Sequence, residues 1–251
     1  MRLDIVIPAH NEEHRIGRTL RAYRAGCPHP GIRFLVALDA CTDRTAEIVR
    51  AHRAEDDRVS LHEYPKLGKG GVIAETFRRS DAEYVGFVDA DCATPPAELM
   101  RLAETTARGG AEVDGAIASR HHAASVLPAG RSFARRLTSA GFAFSVRRLL
   151  KLPYTDTQCG AKVLRRDAAR SVMARISKTD LLFDVDLLLT ARDAGHRVVE
   201  VPTVWIDQEG SRVNTIADTR KMGVSLARLW AAALRRRWFG PPLEVVADAA
   251  A

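Results

Sequence analysis

The sequence predicts an α/β fold with a mostly parallel central sheet flanked by helices. Three observations carry that prediction. Short apolar runs rich in Val, Ile and Leu alternate with helical patterns through the first half. Capping residues punctuate those helical patterns, and polar or glycine residues stand at the C-terminal end of each run: AHNEE, DACTD, KLGKGG and DADC. Parallel strands joined by helices give this arithmetic, and ligands in such sheets bind at the carboxyl ends of the strands. At 251 residues with 46% hydrophobic content, the chain can fill a sizeable core.

Taken in order, LDIVIPA (3–9), IRFLVALDA (32–40), VSLHEY (59–64) and EYVGFVDAD (83–91) are the first strands. Helices are expected after Asn11 (EEHRIGRTLRAYR), after Asp43 (RTAEIVRAHRA) and after GKGG (VIAETFRRS). The TPP behind DADCA opens another, with Thr94 as N-cap and Pro95 in the first helical position. GAIASR (115–120) is a further strand, and residues 131–152 form a basic amphipathic helix followed by YTDTQCGAKVLRR. FDVDLLLTARDAG (183–195) is a helix stopped by Gly195, and HRVVEVPTVWID (196–207) is a strand that Pro202 assigns to an edge. From Met222, apolar residues at Leu226, Leu229, Trp230, Ala233 and Leu234 share one helical face, with arginines at 228 and 235–237 beside it.

Charge and cysteines narrow the function classes. The net charge is +7 with six lysines among 38 basic residues, so anionic partners are expected: phosphates, nucleic acid or an acidic membrane face. No recognition helix pattern or aromatic platform supports nucleic acid, and none is expected as a partner. Cys27, Cys41, Cys92 and Cys159 lack zinc-site or disulfide spacing and read as reduced thiols of a cytoplasmic protein. MRLDIVIPAHNEE has no basic n-region or long apolar core, and no run reaches the ~18 apolar residues of a span.

Asp89 and Asp91 close a buried strand one residue apart, and alternation puts both on one side of the chain. Two such carboxylates can share Mg²⁺ or Mn²⁺, whose other positions go to water and phosphate oxygens. Alone, the pair suits a turn ahead of the TPP helix better than a metal.

It is not alone. VIPAHNEE, LDACTDRTAEI, GKGG, VDADCATPP, GAIASR, TDTQCGAKVLRRD, FDVDLLLTARDAG and VVEVPTVWID occur in an order and spacing that resembles the family-two glycosyltransferases. The likeness covers residues 3–214 and is nearest to the branch that moves a sugar from a nucleotide donor to a polyprenyl or dolichyl phosphate. The resemblance implies a GT-A fold, with residues 1–214 as one catalytic domain. Residues 1–120 would form its nucleotide-sugar half and 121–214 its acceptor half, followed by a basic helix and tail at 215–251.

By that resemblance, Pro8, Ala9, Asn11 and Glu12 cradle the nucleotide, Asp39 meets the base, and Lys69 and Asp89 lie at the donor diphosphate. Asp89 and Asp91 hold the Mg²⁺ or Mn²⁺. Asp156 and Gln158 of TDTQCG lie near the sugar, and Arg120, Arg131 and Arg212 match basic positions for an acceptor phosphate. Asp184 and Asp156 are the implied catalytic carboxylates, with Asp184 at the position of a general base and Asp186 where this branch usually has glutamate. A phosphate acceptor, already anionic near neutral pH, needs no base, whereas an alcohol does. Two departures bear on the site: Ala93 where the mannosyl enzymes often have Gln, and Ala161 where phenylalanine is usual, which relaxes the expected pocket. The expected function is inverting transfer from a GDP-mannose or UDP-glucose type donor to a polyprenyl phosphate, with peripheral contact at the inner face of the plasma membrane through the basic helices. A soluble hydroxyl acceptor is the alternative.

Overall fold

The computed structural model describes residues 1–127, 133–177, 180, 182–206 and 215–239, with the backbone alone for 133–140, 215–221 and 236–239. The described residues form one seven-stranded sheet and eight α-helices. The first half alternates as expected: β1 (Leu3–Ala9), α1 (Ile16–Gly26), β2 (Ile32–Asp39), α2 (Thr45–Glu55), β3 (Val59–Tyr64), α3 (Gly68–Arg79), β4 (Tyr84–Val88) and α4 (Pro96–Arg108). The second half runs β5 (Gly115–Ser119), α5 (Phe133–Leu150), β6 (Ala161–Arg165), α6 (Arg166–Met173), α7 (Phe183–Asp193), β7 (Val198–Pro202) and α8 (Thr215–Phe239).

The strand order is β3-β2-β1-β4-β6-β5-β7, with β7 on an edge as Pro202 predicts. β1 pairs in parallel with both β2 and β4, so the chain turns outward to β3 and returns on the other side of β1. That reversal opens a crevice above the carboxyl ends of β1 and β4. Only β6 runs against its neighbours, pairing antiparallel with β4 and β5. The register sets Val88 against Ala161, which brings the residue after β4 level with the residue before β6.

Every residue of β1, β4 and β5 is buried, as the near-continuous apolar runs of strands covered on both faces require. Ile5, Ile7, Phe34, Val36, Leu20, Tyr23 and Leu99 belong to one apolar cluster joining the sheet to α1 and α4. Each such side chain contributes about 1.5–3 kcal/mol by leaving water.

Several boundaries differ from expectation, α3 starting inside GKGG at Gly68 and β7 spanning only Val198–Pro202, and three others differ for local reasons. α1 begins at Ile16, because the Glu12 carbonyl accepts the Arg15 and Ile16 N–H groups as a turn and Asn11 sits in the left-handed region at φ 56°. At α4, Pro95 is the extended cap and Pro96 the first helical residue, one position later than Thr94 and Pro95 suggest. β4 ends at Val88, so both aspartates lie beyond the sheet.

The chain divides into two compact units, Met1–Val213 and Asn214–Ala251. Among the described residues no helix is long and apolar enough to cross a membrane.

Candidate active site

The carboxyl ends of β1, β2 and β4 surround a cleft of about 280 Å³. Of the residues singled out from the sequence, Pro8, Ala9, Glu12, Asp39, Lys69, Asp89 and Asp91 line it, joined by His10, Arg15, Val72 and Ala90. Asn11, Asp156, Gln158 and Asp184 are not among its lining residues, and Arg131 and Arg212 lie outside the described residues.

The loop after β1 and the loop after β2 are tied into one wall. Asn11 Oδ1 accepts the Thr42 N–H at 2.8 Å, the Glu12 N–H donates to Thr45 Oγ1 at 2.8 Å, and the Glu13 N–H donates to Asp43 Oδ2 at 3.1 Å. Glu12 takes both arms of Arg15, at 2.7 and 2.8 Å. Besides Asn11, Ala40 (φ 50°) and Cys92 (φ 61°) follow strands in the left-handed region. Side-chain residues adopt that conformation at a cost of roughly 1–2 kcal/mol each, and three of the four non-glycine residues with positive φ among the described residues follow the strands whose ends form the cleft, the fourth being Lys151.

Asp39, 4% exposed, holds a second wall. Its Oδ1 accepts the Leu67 and Gly68 N–H groups at 2.6 and 3.1 Å, and its Oδ2 faces Lys66 Nζ at 3.0 Å. Burial alone would raise its carboxyl, but Lys66 and the two N–H groups outweigh that and hold it below the ordinary range.

At the floor, Asp89 Oδ1 lies 2.7 Å from Lys69 Nζ, and Asp91 Oδ1 accepts the Ala93 N–H at 2.9 Å. Burial and then the like charge of Asp89 push the Asp91 carboxyl upward. Two crowded carboxylates of this kind are stabilised by a cation. Among the described residues no group of three or more His, Cys, Asp or Glu could hold a metal by itself. Two hard oxygen groups from the protein would suit a Mg²⁺ or Mn²⁺ that takes its remaining ligands from water and a diphosphate.

Beneath Lys69 lies a second layer. Asp184, at the N-terminus of α7, is 6% exposed; its Oδ1 lies 2.6 Å from Lys162 Nζ and its Oδ2 3.7 Å from Lys69 Nζ. Burial would raise its carboxyl, yet Lys162 and Lys69 hold it below the ordinary range. For Lys69, burial acts downward, and Asp184 and Asp89 more than reverse it, so its ammonium stays charged. Asp156, 2% exposed, binds Arg120 through both oxygens at 2.7 and 2.9 Å, and this guanidinium holds it well below the usual range against the upward push of burial. The Arg120 guanidinium also lies 5.0 Å from the Trp205 ring.

Sequence reasoning missed the residues that hold these. Lys162, 1% exposed, sits in β6, and its only sequence signal is a lysine inside the apolar run AKVL. Glu200 of β7 accepts the Thr155 and Asp156 N–H groups at 2.9 and 2.7 Å and so fixes the TDTQ turn. Gly160 stands where a Cβ would lie 1.8 Å from Asp89 Oδ2. The departures have structural explanations: Ala93 bridges Asp91 and the Ile206 N–H, and Ala161 is wholly buried in the core rather than lining the cleft. Asp186 turns from the cleft to accept the Ser177 N–H and hydroxyl at 2.7 and 2.9 Å.

Comparison with known proteins points to one family and one fold. The family model for glycosyl transferase family 2 matches residues 4–173. Among curated proteins, the dolichyl-phosphate beta-glucosyltransferase of Drosophila melanogaster is 30% identical over 252 residues, covering 95% of this chain and 77% of its own. Glycosyltransferase AglD of Haloferax volcanii is 31% identical over 233 residues, 91% of this chain; the chain spans 37% of that protein's length. Among solved structures, glucosyl-3-phosphoglycerate synthase of Mycobacterium tuberculosis, in complex with Mn²⁺, UDP-glucose and phosphoglyceric acid, superposes with a TM-score of 0.67 at 14% identity, covering 91% of this chain and 79% of that one. The sheet and its flanking helices are thus the GT-A fold. With a family model that spans most of the sheet and the cleft above it, the chain belongs to glycosyl transferase family 2.

Proposed function

We propose that this chain is an inverting glycosyltransferase that moves a sugar from a nucleotide-diphosphate donor, of the GDP-mannose or UDP-glucose type, to a polyprenyl phosphate. The state of Asp184 carries the reading. A carboxylate clamped by Lys162 and Lys69 and held below the ordinary range is a weak acceptor of protons. A phosphate monoester, whose second pKa is about 6, needs none, since its own oxyanion attacks the anomeric carbon while the bond to the donor diphosphate breaks. The electron pair leaves with the nucleoside diphosphate and the anomeric configuration inverts. The Drosophila relative, a dolichyl-phosphate beta-glucosyltransferase, supports the same acceptor class.

In this reading Pro8, Ala9, Glu12 and Asp39 form the nucleotide end of the cleft, Asn11 ties the loop behind it to Thr42, and Lys69 places its charge on the diphosphate. Asp89 and Asp91 would hold Mg²⁺ or Mn²⁺, which when bound neutralises charge on the leaving diphosphate. Support comes from the two hard oxygen ligands and from the Mn²⁺ in the mycobacterial complex. Asp156 and Gln158 stand by the sugar, Asp156 as the carboxylate that orients Arg120 toward the acceptor phosphate, with Arg131 and Arg212 assigned to the same anion. Residues 1–120 serve the donor and 121–214 the acceptor. On α5, Phe144 and Leu149 are exposed beside Arg147 and Arg148 while Val146 and Leu150 are buried, a pattern that suits contact with an anionic cytoplasmic membrane face.

The phosphoglyceric acid in the mycobacterial complex favours one second reading, a soluble acceptor. Asp184→Asn separates the two. With a phosphate acceptor, turnover of the folded variant falls by less than about tenfold; with a hydroxyl acceptor, losing the base costs roughly 10²–10⁴. Steady-state rates normalised to folded protein decide it, and a loss in the larger range contradicts the phosphate reading.

A further inference from the structure

Lys162 occupies a place that ordinarily takes an apolar side chain. It is the second residue of β6, opposite Phe87 of β4 in the register, and 1% exposed. Its Nζ donates to the Cys159 carbonyl at 2.7 Å and to Asp184 Oδ1 at 2.6 Å, and lies 5.3 Å from the Phe87 ring centre. Lys69 Nζ lies 5.5 Å from the same ring. Lys162, Asp184, Lys69 and Asp89 therefore succeed one another with alternating charge at 2.6, 3.7 and 2.7 Å. Replacing a buried ion pair by apolar groups of similar volume is often neutral or stabilising, so fold stability does not account for an ammonium here. Its effect on the next charge does. The contact of Asp184 with Lys69 is 1 Å longer than that of Lys69 with Asp89 (3.7 against 2.7 Å), while Lys162 occupies the other Asp184 oxygen.

We propose that Lys162 is a positioning residue for the donor site: by taking one oxygen of Asp184 it weakens that carboxylate's hold on Lys69, which stays on Asp89 until a divalent cation displaces it onto the donor diphosphate. The inference rests on the reading that Lys69 meets the diphosphate. It makes Lys69 and the cation competitors for Asp89 when no nucleotide is present, and partners when nucleotide is bound.

Lys162→Met tests this through two affinities that move in opposite directions. With Lys162 gone, Asp184 draws Lys69 off Asp89. Mn²⁺ alone, followed by the electron paramagnetic resonance of the free ion, then binds about fivefold tighter, whereas UDP and GDP at saturating Mn²⁺ bind about fivefold more weakly. A packing defect weakens both, and either a joint loss or no change in the two affinities overturns the proposal. If Lys162→Met fails to fold, Lys162→Met with Asp184→Asn removes both charges and leaves Lys69 to Asp89 alone; Mn²⁺ alone must then bind about fivefold more weakly than in the parent, and equal or tighter binding overturns the proposal. Lys69→Met checks the underlying reading separately: unchanged nucleotide affinity there removes Lys69 from the diphosphate, whatever the Lys162 variants do.

Discussion

Asp91→Ala is expected to lower cation-dependent turnover on the order of 10³-fold while leaving the fold intact. The asymmetry follows from the surroundings of Asp91. Its carboxylate accepts the Ala93 N–H at 2.9 Å, and burial together with the Asp89 charge raises it. A carboxylate raised in the folded state stabilises the fold below its unfolded value and loses that contribution as pH rises through the folded value. At neutral pH its removal therefore relieves repulsion, and the melting temperature should hold or rise. The same sign governs the cation, which competes with the proton for Asp91, so cation affinity in the parent falls as the solution is acidified. Turnover against Mn²⁺ concentration, with a thermal melt on the same sample, checks both halves. Full activity in the variant contradicts the assignment of Asp91 to the cation.

Gly160→Ala is expected to cost on the order of 100-fold in turnover, because displacing a reacting-site group by about 1 Å has that effect. The added methyl would stand 1.8 Å from Asp89 Oδ2 and 2.4 Å from its Cγ. The position cannot yield, since Val88 and Ala161 are fixed across the antiparallel ladder. Asp89 must rotate instead, and with it goes the 2.7 Å contact to Lys69. Overpacking of this kind also costs about 1–3 kcal/mol of stability. Weakened Mn²⁺ binding together with a modestly lowered melting temperature is the expected pair of results; a turnover within about threefold of the parent contradicts the placement of Asp89 at the reacting centre.

Much of the fold was legible because its signals are local. β1, β2 and β3 announce themselves by apolar runs ending in polar residues, and Pro202 marks the edge that β7 occupies. β6 and α6 were not legible. AKVLR is five residues long with charges at its second and fifth places, and only the pairing with β4 and β5 makes it a strand. The first line of the cleft was readable for the same reason as the strands, since Pro8, Ala9, Asp39 and Asp89 sit at strand ends. Its supports were not. Lys162 is satisfied by a carboxylate 22 positions along the chain, and Glu200 by amides 44 and 45 positions back, distances over which a sequence gives no pairing signal. Asp184 was visible as a carboxylate at a helix start, but its weak basicity depends on two lysines that only the fold assembles.

Transfer to a lipid phosphate is the central claim, and release of nucleoside diphosphate tests it most directly. GDP-mannose and UDP-glucose are each incubated with the protein and Mg²⁺ or Mn²⁺, with and without a short polyprenyl phosphate. The account predicts GDP or UDP release that depends on the lipid phosphate and on the cation, with one donor preferred. Donor binding or slow hydrolysis that the lipid phosphate does not stimulate would contradict it.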